Sequence, residues 1–274
     1  MSPPREEPRR RADRGAQGAR GGLCVLTFHR VVEACERDHD ITRRSFCRLL
    51  DTIAAIGTAT ETELASGEPM RKGAAVLTFD DGTEDHLWVG EELARRDLRA
   101  IFFVPAGRVG RPGFLPPHRV RGLHALGIRI GSHGFDHLCL EKGMPPDAMR
   151  RELEDSKKLL EDVGGAPVAY FAPPGGLGSR VVRPALSRYG YLASRSMRWG
   201  IYTSWEARWE IPCIPVTEFT LGRGWVTAAL RVGAMPLAMR GAWFVKRLMP
   251  SRARFAVRRK LHAPFGAGRS RLGP

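Results

Sequence analysis

The chain reads as an α/β protein built on parallel strands, either closed as a barrel or left as an open sheet. Three observations predict this. Short apolar runs of strand length alternate with segments of helical periodicity between Leu23 and Val216. The polar residues suited to chemistry stand at the C-terminal ends of those runs, where parallel β/α folds carry their sites. Residues 23–218 balance 26 basic against 26 acidic side chains, which fits a neutral, enzyme-sized interior better than a surface for gripping nucleic acid.

The first run, residues 23–29, holds Leu, Cys, Val, Leu, Thr and Phe and has the composition of a strand buried on both faces. Thr42 then stands as a helix N-cap. Phe46, Leu49, Leu50, Ile53 and Ile56 share one helical face, and Gly57 stops the helix. Residues 74–79 form the second strand and 87–96 the helix after it. Residues 100–104 form the third, closed by Pro105 and Gly107. The alternation continues with a helix over 117–126, a strand over 128–131 and a long helix over 147–163 that aligns Met149, Leu153, Leu160 and Val163. A strand over 168–171, a helix over 180–189, a strand over 191–194 and a final strand over 211–216, interrupted by Pro212 and Pro215, complete the pattern.

The formal charge of +15 over 274 residues belongs to the ends. Residues 1–22 carry six arginines against three acids and lack apolar periodicity, so they read as a disordered basic arm. Residues 219–274 carry twelve basic residues and no acid, interleaved with Trp225, Leu237, Trp243 and Phe244 and broken by Pro236 and Pro250. That composition predicts short helices in peripheral contact with an anionic membrane surface. The five cysteines are odd in number and contain no C-x-x-C pair, which argues against a disulfide framework or a cysteine zinc site. No apolar leader follows the early arginines, and no run of eighteen apolar residues occurs. The expectation is a cytoplasmic protein, peripheral at the inner face of the membrane, with no nucleic-acid partner.

His29 ends the first strand, Asp80 and Asp81 end the second, and His133 follows the fourth with His137 four residues on. Two imidazoles so spaced, joined by a carboxylate from another strand, offer three N/O ligands with an open position, as a catalytic zinc site requires. Gly134 lets the backbone fold the two rings toward one point. Taken singly, His133 and His137 also read as loop polarity, and Asp80-Asp81-Gly82 as a strand-to-turn boundary.

In order and spacing, Val76-Leu77-Thr78-Phe79-Asp80-Asp81-Gly82, Ala100-Ile101-Phe102-Phe103-Val104 and Ile130-Gly131-Ser132-His133-Gly134-Phe135-Asp136-His137 resemble the polysaccharide deacetylase (NodB-homology, carbohydrate esterase family 4-like) family. Leu26-Thr27-Phe28-His29, Tyr170-Phe171-Ala172-Pro173-Pro174-Gly175 and Ile211-Pro212-Cys213-Ile214-Pro215-Val216 extend the resemblance over residues 23–218. It implies a distorted parallel (β/α) barrel and a metal-dependent hydrolase that removes N-acetyl groups from an amino-sugar glycan or a lipid-linked sugar. The family's other amide substrates, and a catalytically inactive carbohydrate-binding homologue, are the alternatives. Carried over residue by residue, Asp81, His133 and His137 bind a divalent metal, usually zinc. Asp80 is the general base, and a backbone N–H at Gly175 faces the oxyanion. Adjacent strand residues point to opposite sides, so Asp80 and Asp81 are not equivalent ligands.

Two departures stand out. The family's late Leu-x-His motif is absent, since only His262 follows His137, and His29 becomes the candidate general acid by similarity to a branch whose first strand ends in His. Ala172 occupies the place where many members carry an Arg that steadies the base. His39, His86, His118 and His124 have no motif support. Trp199, Trp205 and Trp209 read as core aromatics or as the lining of a sugar pocket.

Overall fold

The computed structural model describes residues 22–59, 64, 74–140, 143–176 and 179–248. Apart from Gly22, the arm expected over residues 1–22 lies outside them, as does the tail beyond 248. In chain order the elements are β1 (Cys24–Phe28), β2 (Val31–Val32), β3 (Ile41–Thr42), α1 (Arg43–Ile56), β4 (Ala75–Phe79), α2 (His86–Ala94), β5 (Ala100–Val104), α3 (Pro117–Ala125) and β6 (Ile128–Ser132). There follow α4 (Pro146–Arg150), α5 (Ser156–Gly164), β7 (Tyr170–Phe171), α6 (Ser179–Arg188), β8 (Ala193–Trp199), β9 (Ile211–Pro215), α7 (Glu218–Gly222), α8 (Trp225–Val232) and α9 (Leu237–Leu248).

Seven strands close a parallel barrel in the order β1-β4-β5-β6-β7-β8-β9, with β9 returning to β1 through Leu26 opposite Ile214. This is the closed parallel barrel that the family resemblance implies. The barrel is distorted where β7 meets β6 at the single pair Ser132 and Phe171, and where β8 slips register against β9 between Arg195 and Trp199. Every residue of β1, β4 and β5 is buried, because one face meets the interior and the other meets the helices. Val25, Val76, Ile101, Phe103, Tyr170, Ala193 and Ile211 fill the inner cluster. Leu26, Phe28, Leu77, Phe79 and Phe102 form the outer one with the helices. There Phe28 stacks on Phe79 at 4.7 Å and meets Phe46 of α1 edge-on at 5.4 Å.

Helix α1 follows the sequence expectation closely. Thr42 caps it by accepting from Ser45 N, and Phe46, Leu49, Leu50 and Ile53 are buried, each contributing about 1.5–3 kcal/mol. Two differences matter for the site. The helix expected over 147–163 is divided into α4 and α5 by a π turn, Arg151–Asp155, that apolar spacing does not reveal. Strand β8 runs to Trp199, past the expected residue 194, because Ser194, Arg195 and Ser196 are polar yet buried. Apolar runs end where such residues begin.

The chain beyond β9 packs on the barrel. Glu218 accepts from Thr42 N (2.8 Å), Thr42 Oγ1 (2.7 Å) and Ser45 Oγ (3.0 Å), joining α7 to the start of α1. Val226, Ala229, Leu230 and Met239 enter the outer core. The boundary expected at residue 218 thus falls on a side chain that binds the barrel. Among the described residues no helix is long and apolar enough to cross a membrane.

Candidate active site

The mouth of the barrel gathers the residues singled out above. Val76 and Thr78 point inward along β4, and Asp80 continues that phase to the mouth, where its carboxylate is buried. Asp81 turns away with φ 77°, a left-handed conformation that costs a non-glycine residue about 1–3 kcal/mol and clusters at functional sites. His133 follows β6 and is buried. Its Nδ1–H donates to the carbonyl of Ala172 at 2.6 Å, leaving Nε2 directed at Asp81 Oδ1, 3.7 Å away. His137, at φ 63°, brings its Nε2 to 3.0 Å from the same oxygen.

One ligand atom from each of Asp81, His133 and His137 lies within 4.8 Å of the others. The set fits a divalent cation: two imidazoles and one carboxylate converge, and the Ala172 carbonyl fixes the His133 tautomer. Burial pushes His133 down to about 4 from 6.5, so the ring is neutral with its lone pair available at pH 7. Burial opposes ionisation of Asp81, but the His137 hydrogen bond, and then His133 and His29 once the pH is low enough to protonate them, outweigh it and hold the carboxyl well below its usual range.

The His133 shift carries a stability consequence. The unfolded chain accepts a proton that the folded chain refuses, so stability is undiminished above about 6.5 and falls as the pH drops toward about 4. We expect the thermal midpoint of metal-free protein to decline through that window. A flat midpoint would contradict the assignment of a buried neutral imidazole.

Asp80 meets Arg195, which sequence reasoning missed. Nη2 of Arg195 donates to both Asp80 oxygens, and both side chains are almost fully buried. Burial opposes ionisation of Asp80, but Arg195, then His133 and His29, overcome it and keep the carboxyl below its ordinary value. Tyr170 pairs with Ala193 and Phe171 with Ser194, so the register sets Ala172 beside Arg195. The guanidinium therefore comes from the strand next to the one expected to supply it, and the small Ala172 side chain is compatible with its passage. The available signal was alternation, since Ala193, Arg195 and Met197 share the inward phase of β8. Arg195 Nη1 also reaches Met197 Sδ at 2.8 Å, and Met197 packs against Gly176 of the Pro174–Gly176 turn. Gly175 in that turn adopts φ 68°, and Pro174 lies against Gly134.

His29 stands at the mouth with Nε2 3.9 Å from Asp80 Oδ2. Its backbone is gripped by the start of α2. His86 Nε2–H donates to the His29 carbonyl at 2.7 Å, and Asp85 Oδ2 accepts from Val31 N at 2.8 Å. His86 is accordingly a buried structural histidine, and His39 lies with its ring 4.8 Å from that of His29. Of the tryptophans, Trp209 is core, Trp199 is half-buried beside Trp225 at 6.4 Å, and Trp205 is half-buried under Arg208.

A closed parallel barrel with a carboxylate and two imidazoles converging at its mouth defines the NodB type of deacetylase fold. The family model described as polysaccharide deacetylase matches residues 67–194 of this chain. YxkH of Bacillus subtilis (strain 168) is 28% identical over 117 residues, 42% of this chain and 42% of that protein. The peptidoglycan-N-acetylglucosamine deacetylase PgdA of Listeria monocytogenes is 29% identical over 107 residues, 38% of this chain and 22% of that protein. The chain thus spans less than half the length of these curated relatives. Among solved structures, IcaB from Ammonifex degensii shares the fold at a TM-score of 0.66 and 23% identity, covering 78% of this chain and 97% of that one. The Streptococcus pyogenes deacetylase PplD, solved in complex with acetate, does so at 0.66 and 19%, covering 72% of this chain and 92% of that one. His29 precedes the matched segment, and Arg195 falls one residue beyond it.

Proposed function

We propose that the protein is a metal-dependent hydrolase that removes N-acetyl groups from an amino-sugar-containing glycan. The observation that carries this reading is the convergence of Asp81, His133 and His137 at the barrel mouth beside the buried Asp80–Arg195 pair. Asp81, His133 and His137 would hold a divalent cation, which we assign as zinc. When bound, such a cation supplies Lewis acidity toward the acyl carbonyl and lowers the pKa of a water molecule.

The remaining work falls to the chain's own residues. Asp80, kept ionised and oriented by Arg195, takes the proton of the attacking water as its oxygen bonds to the acetyl carbon. The backbone N–H of Gly175 donates to the oxygen that becomes negative. The carbon–nitrogen bond then breaks, His29 gives a proton to the departing nitrogen, and acetate and the free amino sugar leave. His29→Ala is expected to slow amide hydrolysis about 10²–10⁴-fold and to spare an activated ester, whose leaving group needs no proton. Equal slowing of both substrates would make His29 structural.

Acetate release from short N-acetylglucosamine oligomers and from polyprenyl-linked N-acetyl sugars, before and after chelation and return of zinc, tests the whole reading. Release that zinc restores supports it, and absence of release from both substrates overturns it. A lipid-linked substrate accords with the acid-free segment 219–274, which we assign to peripheral contact with an anionic bilayer. Within it Arg223, Arg231 and Arg240 are exposed alongside Val232 and Leu237. The full chain should sediment with phosphatidylglycerol vesicles at low salt and not with phosphatidylcholine vesicles; failure to sediment with either removes the membrane contact. We assign a reducing, cytoplasmic location on the odd number and wide spacing of the five cysteines in the sequence.

A further inference from the structure

The loop that carries His133 and His137 lies outside the sheet ladder, so its backbone donors need partners from elsewhere. Two of them find one carboxylate. Glu152, only 1% exposed, accepts from Phe135 N through Oε2 and from Asp136 N through Oε1, both at 2.9 Å. Gly134, at φ 78°, leaves the space that the carboxylate fills, since a Cβ there would collide with Glu152 Oε2. The π turn sets this contact, because Arg151–Asp155 winds wider than an α-helix at the point of approach. The preceding residue adds to it. Arg151 pairs with Asp136 at 2.7 Å, and its guanidinium lies 3.8 Å from the centroid of the Phe135 ring. One turn on, Ser156 Oγ meets Ser132 Oγ at 2.7 Å, and that Ser132 oxygen accepts from Gly134 N.

We infer that Glu152 is the positioning residue of the metal site, holding the loop between His133 and His137 so that both imidazoles face Asp81 before a cation arrives. The inference rests on the reading of Asp81, His133 and His137 as metal ligands. Glu152 touches neither metal nor substrate and acts through the backbone. A carboxylate offers two charge-assisted acceptors, which suits two adjacent N–H groups. An amide in its place keeps one acceptor and turns an NH₂ toward the other donor.

The test is zinc affinity, measured on the full chain by competition with a chromophoric chelator. Glu152→Gln should bind zinc about 10–100-fold more weakly, the usual cost of losing an outer partner of a metal ligand. Glu161→Gln is the matched control. It makes the same change on the next part of the same helix, where the Glu161 carboxylate accepts from Val168 N, and it should leave zinc affinity unaltered. A second measurement needs no variant: in metal-free wild-type protein the Phe135 and Asp136 amides should exchange slowly with deuterium. Equal zinc affinity of Glu152→Gln and wild type, or fast exchange at both amides, overturns the role of Glu152. Failure of the wild type to bind zinc instead overturns the reading of the ligands themselves.

Discussion

Asp80→Asn is expected to retain zinc and to lose about 10²–10⁴ of the turnover, because an amide beside the attacking water cannot take its proton. Zinc content and acetate release measured on the same preparation separate the two effects. Loss of zinc with Asp80→Asn would place Asp80 among the ligands, whereas wild-type turnover would exclude it as the base. The substitution nearly preserves shape, and Arg195 loses an ionised partner inside the barrel mouth. Some loss of stability is therefore expected alongside the loss of rate, and turnover must be read on folded protein.

Arg195→Met is expected to be the more damaging change to the fold. It keeps much of the side-chain volume but leaves the Asp80 carboxylate buried without its guanidinium, a loss of about 3–5 kcal/mol for a broken buried pair. Equilibrium urea unfolding measures it. The double variant Arg195→Met with Asp80→Asn should be less destabilised than the two single losses together, since no unpaired charge remains. Strict additivity would mean that the pair is not coupled. The same experiment asks whether an arginine on β8 performs for Asp80 what the family resemblance leads one to seek at position 172.

The parts legible in the sequence are those governed by local repetition. Phe46, Leu49, Leu50 and Ile53 lie on one buried face of α1, as their helical spacing requires, and Thr42 caps that helix through its own side chain. The strands at 75–79 and 100–104 were equally plain, because residues buried on both faces leave an unbroken apolar run. His29, Asp80, Asp81, His133 and His137 were each visible as polar residues at strand ends, and they converge at one mouth. Less legible were β8, whose buried Ser194, Arg195 and Ser196 look like a strand's end, and the π turn, which shifts the helical phase without changing which residues are apolar.

By itself, then, the sequence determined the alternation of strands and helices, the resemblance to polysaccharide deacetylases and the identity of the polar residues at the strand ends. Each depends on neighbours along the chain or on a motif held within a few residues. Tertiary structure alone decided that Arg195 rather than residue 172 meets Asp80, and that Glu152 grips the loop between His133 and His137. The reason is the separation of the partners. Asp80 and Arg195 are brought together only when β4 and β8 curve around a common interior, and a charge with no apolar periodicity of its own carries no local sign of the partner that will neutralise it.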